Sequence, residues 1–345
     1  MNSMILSSGT CLRIVIIFFV FLKPVSAQVY PDKAVDKLLK QGIKSLINQD
    51  FASAKKYFNN LETKHPEIPA GKIYLAGTYI AEAYDKSEPY NLDIINKNLE
   101  AAIAQAETLV EMDKSNIWNI YFLALAKGYY AYYEALNENW LSAFSYGLSS
   151  VSAFEECLKL DSAFYEAFTA TGTYKYWKSR KTEFLNWLPF IDDEKQSGIE
   201  YIQAAVENSN YNYYLGIYSL QWIYIDKGEP GKAVSISEKA LEEFPNSRFF
   251  KWGYARALED INLEKAVSVY YQILNSYKDK SNNYNEILLK HLIAQCYYKL
   301  GESEKALVLC NDILSIQNLS GFVEEKLGNR LERVRTLRKD ILEAK

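Results

Sequence analysis

Residues 221–245 read QWIYIDKGEPGKAVSISEKALEEFP, two apolar-periodic segments on either side of a short polar turn. In both segments apolar residues recur every three or four positions, which is the spacing of one face of an α-helix. The first predicted helix carries Trp222 and ends near Gly228, and the second begins after Pro230. Pro245 ends the second helix because proline cannot donate a backbone hydrogen bond. The stretch therefore predicts a helical hairpin.

The same plan recurs towards both ends of the chain. Residues 292–314 repeat four positions at identical spacing, with Tyr297, Gly301, Ala306 and Ile313 standing where Tyr224, Gly228, Ala233 and Ala240 stand. An N-terminal unit repeats it with Gly42, Ala54, Phe58 and Pro66. Small residues let two antiparallel helices approach closely, and a recurring helix pair indicates a repeat architecture.

These spacings resemble the tetratricopeptide repeat over residues 34–316. The resemblance implies an all-α solenoid of stacked antiparallel helix pairs in a right-handed superhelix, with first helices on the concave side. We place the small residue of each second helix at Ala54, Ala101, Ser149, Gly198, Ala233, Ala266 and Ala306. The intervals are 47, 48, 49, 35, 33 and 40 residues, so the front repeats are longer than the family period of about 34.

Three regions follow from this reading. Residues 1–27 show a charged start, a nine-residue apolar run and a small-x-small end, which is typical of a bacterial signal peptide; an uncleaved anchor is the alternative. Residues 28–317 form an array of about seven hairpins. Residues 318–345 form a charge-rich C-terminal capping helix, which an open stack requires. No other apolar run reaches spanning length, so we expect an exported protein that is periplasmic or associated with the outer membrane.

The composition excludes several kinds of function. The net charge is −4 and no long Lys/Arg block is present, which disfavours nucleic acid as a partner. The two histidines, His65 and His291, have no metal-ligand partners at helical spacing, and no catalytic or cofactor-binding motif appears. We therefore expect no enzyme activity, no metal and no cofactor. After the leader, three cysteines remain: either Cys296 pairs with Cys310, or all three are small buried apolar residues.

Tyrosine is the unusual feature of the composition, with 28 residues. The repeat pattern places eight aromatic residues on or near the concave wall: Tyr129, Tyr132, Tyr133, Tyr176, Trp177, Tyr218, Trp222 and Tyr298. Such rings combine an apolar face with a polar group and are enriched where proteins bind proteins. Packing between repeats is the alternative for each ring. In the run YYAYYEAL at 129–136, successive side chains lie about 100° apart, so at least one tyrosine should be partly exposed.

An insertion interrupts the fourth hairpin, within residues 175–190, KYWKSRKTEFLNWLPF. The first helix of that pair is predicted to run from about 163 to 179 and the second to begin near 194, which leaves more residues than a turn needs. Its apolar side chains, Phe184, Trp187 and Phe190 among them, either pack onto the array or meet a partner.

Binding is therefore the predicted function. The favoured hypothesis is a scaffold or adaptor of the bacterial cell envelope that holds a protein or peptide on a concave aromatic groove. The alternative is capture of glycans for an outer-membrane uptake complex, because the same rings can stack on sugars. The solenoid fold alone predicts binding and does not name the ligand.

Overall fold

The computed structural model describes residues 28–185, 192–277 and 283–344. Within these ranges the chain forms sixteen α-helices and no strand. Their bounds are α1 Lys33–Ile47, α2 Phe51–Lys64, α3 Ala70–Lys86, α4 Leu92–Met112, α5 Ile117–Leu136, α6 Trp140–Leu160, α7 Phe168–Lys181, α8 Lys195–Asn208, α9 Tyr213–Asp226, α10 Pro230–Glu243, α11 Arg248–Leu258, α12 Leu263–Ser276, α13 Tyr284–Lys299, α14 Ser303–Ser315, α15 Gly321–Leu327 and α16 Arg330–Glu343. The predicted all-α class is confirmed.

Consecutive helices pack as antiparallel pairs, from α1 with α2 to α13 with α14. The sequence signals for helix ends act as predicted. Gly228 and Gly301 close α9 and α13 with φ angles of 69° and 78°, and Pro230 is the first residue of α10. Asp32 caps α1 by accepting hydrogen bonds from the backbone N–H groups of Ala34 and Val35.

The small residues between paired helices are more regularly spaced than predicted. Ala101 is exposed and Ser149 is only partly buried, whereas the neighbours Ala102 and Ser150 are buried. A shift of one position turns a side chain by about 100°, so an error of one residue is enough to leave the contact face. With this correction, positions 54, 102, 150 and 198 lie at a constant interval of 48 residues. The front repeats are therefore hairpins with one constant repeat length, which is longer than that of the later repeats.

The C-terminal segment differs from the single capping helix that the sequence predicts. Gly328 has a φ of 49° and a ψ of −127°, and it separates α15 from α16. Buried Val323, Leu327, Val334 and Ile341 join one core cluster with residues of α13 and α14. The two helices therefore cover the last hairpin together.

Contacts between distant repeats close the stack on itself. The Ser247 hydroxyl donates to the carbonyl of Ile47 at 2.7 Å, across 200 positions of sequence. Arg248 at the start of α11 forms a two-point ion pair with Asp85 in the last turn of α3, with Nε to Oδ1 at 2.9 Å. The amide of Asn285 in α13 donates to the carbonyl of Asp85 at 2.9 Å. The first two hairpins thus contact the starts of α11 and α13.

The remaining sequence predictions concern the cysteines and the leader. Cys157, Cys296 and Cys310 are buried and unbridged, so the interpretation as small apolar residues is confirmed and the pairing of Cys296 with Cys310 is wrong. Residues 1–27 lie outside the described residues. Within the described part of the chain, no helix carries an apolar stretch long enough to cross a bilayer.

Candidate functional site

Tyr84 is the centre of a cluster of aromatic side chains that come from several first helices. It lies in the last turn of α3, and 62% of its side chain is exposed. Its hydroxyl acts electrostatically on four other tyrosines: Tyr90, Tyr132, Tyr218 and Tyr284. These come from the turn after α3 and from the first helices α5, α9 and α13. First helices of four different pairs thus contribute to one surface.

Tyr132 faces Tyr84 from α5 and is 41% exposed. Burial raises the pKa of Tyr132, and the Tyr84 hydroxyl adds to this effect. Burial raises the pKa of Tyr90, and the neighbouring Tyr132 hydroxyl raises it further. Both hydroxyls therefore stay protonated at neutral pH and act as hydrogen-bond donors and acceptors.

Tyr218 and Trp222 extend this cluster along α9. The Tyr218 ring stacks on Phe249 of α11 with centroids 4.1 Å apart, and Trp222 meets its edge at 6.2 Å. Burial raises the pKa of Tyr218 to about 12, with a smaller contribution from Tyr84. We call the set Tyr84, Tyr90, Tyr132, Tyr218 and Trp222 the tyrosine surface. It presents two exposed rings beside three rings that are held in place by packing.

Of the eight predicted groove residues, the structure brings Tyr132, Tyr218 and Trp222 into this surface. Tyr129 is half-buried and packs beside Gly77 of α3. Tyr133 points elsewhere: its ring lies 5.5 Å from Tyr130 and packs with the cluster of α3 and α4. The exposure of Tyr132 meets the expectation for the 129–136 run.

Tyr176 requires a correction. Only 1% of it is exposed, and its hydroxyl donates to Asp226 Oδ2 at 2.7 Å, so it belongs to the core and no ligand reaches it. Trp177 packs at the edge of the same ring, with centroids 5.1 Å apart. Tyr298 is 38% exposed in the last turn of α13 and makes no described contact with the tyrosine surface.

The insertion is described only in part. Phe184 lies in a short 3-10 turn, Glu183–Leu185, and is 74% exposed. Trp187 and Phe190 lie outside the described residues. The end of α7 at Lys181 and the start of α8 at Lys195 agree with the prediction to within two residues. In contrast, α7 begins only at Phe168, after a 3-10 turn, and not near residue 163.

Sequence reasoning missed Tyr84 and Tyr90. Tyr84 lies on a first helix, so the same projection that selected Tyr132 could have found it. Tyr90 lies in the connection before α4, where helical spacing gives no signal. Within the described ranges, no three His, Cys, Asp or Glu side chains are arranged to hold a metal ion.

Several solved structures are similar to this one. A tetratricopeptide repeat protein from Parabacteroides merdae is 13% identical, with 90% of this chain and 100% of that chain covered and a TM-score of 0.38. YrrB, a TPR protein with an unusual peptide-binding site, is 15% identical over 64% of this chain and 96% of its own (TM-score 0.43). A human IFIT1 dimer with m7Gppp-AAAA is 16% identical over 91% and 79% (TM-score 0.47).

No family model and no curated protein matches the sequence. Identities and scores this low carry no argument about ligands. The consecutive helix pairs of the described residues themselves make this part of the chain an all-α array of stacked hairpins.

Proposed function

We propose that the protein is a binding scaffold that holds a segment of a partner protein on the tyrosine surface. The observation that carries this proposal is the exposure of Tyr84 and Tyr132, at 62% and 41%, beside rings of other first helices that are held in place by packing. Exposed aromatic side chains next to rigidly packed ones form typical contact points for proteins, because little rotamer freedom is lost on binding.

The chemistry of the surface suits recognition. Its hydroxyl groups are neutral at physiological pH, since the pKa values of Tyr90, Tyr132 and Tyr218 are all raised, chiefly by burial. Neutral donors and acceptors beside ring faces fit an extended peptide with apolar side chains and free backbone groups. We further propose, from the pattern of residues 1–27, that binding takes place in the bacterial envelope after export.

A displayed peptide library tests the proposal. Peptides enriched on the wild-type protein should lose at least about tenfold in affinity on the double variant Tyr84→Ala, Tyr132→Ala, since each ring buries substantial apolar area. Tyr298→Ala is the matched control because Tyr298 is 38% exposed but lies outside the tyrosine surface. Equal losses in both variants, or no enrichment at all, would overturn the assignment.

A second experiment separates protein ligands from glycans. Trp222 lies at the edge of the Tyr218 ring, so its fluorescence should report occupancy of the surface. We expect a saturable change with an enriched peptide and none with a panel of oligosaccharides. A saturable response to a sugar, abolished by Tyr84→Ala with Tyr132→Ala, would assign the surface to glycan binding instead.

A further inference from the structure

The first half of α6 exposes a row of large apolar side chains. Trp140, Leu141, Phe144 and Leu148 are 67%, 87%, 68% and 41% exposed. Because successive residues of a helix lie about 100° apart, these four positions fall within one sector of about 100°. No other helix in the described ranges exposes more than two large apolar side chains. We call the four residues the α6 stripe.

The α6 stripe is uncovered because of the way α6 packs. The second helices α2, α4, α8, α10 and α12 each pack against the first helix of the following pair as well as against their own partner. In contrast, α6 packs along α5 and touches α7 only slightly. Its buried residues, Ser150, Phe154 and Cys157, all lie from the middle of the helix onward. Among the described elements, the first half of α6 is therefore left without a covering helix on its apolar face.

The surface around the α6 stripe carries no charge. Residues 139–154 contain no Asp, Glu, Lys or Arg, although these residues make up 24% of the chain. Surface helices ordinarily keep charged and polar residues on the face that meets water. Charged residues are depleted at the core of protein–protein interfaces, because a buried charge loses its hydration. The composition of α6 therefore fits a helix that is buried against another protein surface.

A membrane surface fits the α6 stripe less well than a protein does. Helices that lie in a bilayer interface usually carry Lys and Arg on their polar face. The one basic residue in the sequence of α6, Lys159, lies at the far end of the helix and pairs with Glu156. Glu155 is exposed in the same turn. Anionic lipids would repel this acidic end of the helix, so a protein partner is favoured.

The size of the α6 stripe matches what a symmetric pair requires. With whole side-chain areas on the order of 150–200 Å², the four residues expose roughly 400–500 Å² at the fractions given above. Two copies that pair these stripes remove roughly 1,000 Å² from water once the exposed flanking residues Ser145 and Ser152 are included. This area reaches the size at which specific protein interfaces begin, about 1,000 Å².

We propose that the α6 stripe is the interface of a homodimer, in which a second copy of this chain packs its own α6 against it. A two-fold axis across the middle of the stripe pairs the two helices in antiparallel orientation, so that apolar side chains of one copy meet apolar side chains of the other. The stripe shares no residue with the tyrosine surface. The dimer therefore goes beyond the proposed function and does not depend on it.

Sedimentation velocity tests the proposal directly. The wild type should be dimeric at about 100 µM. The double variant Leu141→Glu, Phe144→Glu should weaken dimerisation at least about a hundredfold, because pairing would then bury carboxylates between apolar side chains. Its far-UV circular dichroism should equal that of the wild type, since both side chains are exposed in the monomer. This second measurement shows that the variant folds.

The double variant Met112→Glu, Val308→Glu is the matched control. Met112 of α4 and Val308 of α14 are 78% and 65% exposed and lie outside the stripe, so this variant should dimerise as the wild type does. Equal weakening in the two double variants would mean general charge repulsion and would overturn the interface. A wild type that is monomeric at about 100 µM would overturn it as well. So would a dimer that persists in Leu141→Glu, Phe144→Glu.

Flotation with vesicles of phosphatidylcholine and phosphatidylglycerol separates the dimer from a membrane role. The wild type should remain in the dense fraction with the unbound protein. A wild type that floats with the vesicles, and that no longer floats as Leu141→Glu, Phe144→Glu, would assign the α6 stripe to a lipid surface and overturn the proposal.

Discussion

Gly172 of α7 shows at the level of one residue how closely paired helices approach in this protein. A Cβ atom at Gly172 would lie 2.5 Å from the carbonyl oxygen of Gly198, and one at Gly198 would lie 2.6 Å from that of Gly172. The atoms that block the space are backbone atoms, which cannot rotate away. The two glycines therefore fix the separation of α7 and α8.

We predict that Gly172→Ala destabilises the protein by about 1–3 kcal/mol, because the helices must separate to admit the methyl group. Denaturant unfolding measures the change. Gly231→Ala serves as the control: Gly231 lies in the first turn of α10 with open space around its Cβ position, so this variant should be neutral or more stable by about 0.5–1 kcal/mol. A loss of stability in the control alone would contradict the steric argument.

At the level of elements, Glu166 links the start of one hairpin to the start of the next. Its buried carboxylate accepts hydrogen bonds from the backbone N–H groups of Tyr211 and Asn212 just before α9, at 3.1 Å each, and from the Asn212 amide at 2.9 Å. Burial raises the pKa of Glu166 to about 7, although these donors act in the opposite direction. The Glu166 carboxylate, from the turn before α7, therefore takes the place of a capping side chain from the segment that immediately precedes α9.

This link makes the stability depend on pH. Because the folded protein binds the Glu166 proton more tightly than the unfolded chain, the free energy of unfolding should fall as pH rises from about 4.5 to about 7, and then level off. The fall attributable to this group is on the order of 3 kcal/mol at most. Glu166→Gln should remove it, as measured by urea unfolding at pH 5 and pH 7.5. An unchanged pH difference in this variant would refute the assignment, and exposed Glu155→Gln is the control.

The helix pairs could be predicted from the sequence because their signals are local. Gly228, Pro230 and the apolar spacing of residues 221–245 each act within a few positions of the chain. The errors at Ala101 and Ser149 are of one residue, since the residue that follows each of them, Ala102 or Ser150, is equally small and the periodicity alone does not rank the two candidates. The break at Gly328 was missed because the charged segment reads as one continuous amphipathic helix.

At the scale of the whole molecule, the closure between distant repeats was not predictable. Nothing in the sequence distinguishes Asp85 and Arg248 from exposed charged residues. Only the packing of the complete stack brings the two side chains together. The complete stack also brings Tyr84 near Tyr132 and Tyr218, and it buries Tyr176 in the core. The sequence therefore predicted what kind of site to expect, aromatic rings on first helices, but it identified only some of the residues that form it.

The closing ion pair should contribute measurably to stability. Asp85 and Arg248 side chains are only 12% and 15% exposed, so Asp85→Ala leaves a cation without its partner and should cost about 3 kcal/mol. Hydrogen exchange should then accelerate at the end of α3 and the start of α11. Lys339→Ala, which removes a pair whose side chains are 71% and 65% exposed, should change neither quantity. Unaltered exchange in Asp85→Ala would show that the ion pair does not hold the closure.

The bonds that join Ile47 to Ser247 and Asp85 to Arg248 also bear on how this protein loses its structure. An open array can melt one unit at a time from either end, because each unit touches only its neighbours. Here the first hairpins form hydrogen bonds and an ion pair with later ones, which opposes fraying from the N-terminus. The protein should therefore unfold in a single cooperative transition. Deleting the first hairpin would accordingly weaken the middle of the protein, far from the cut.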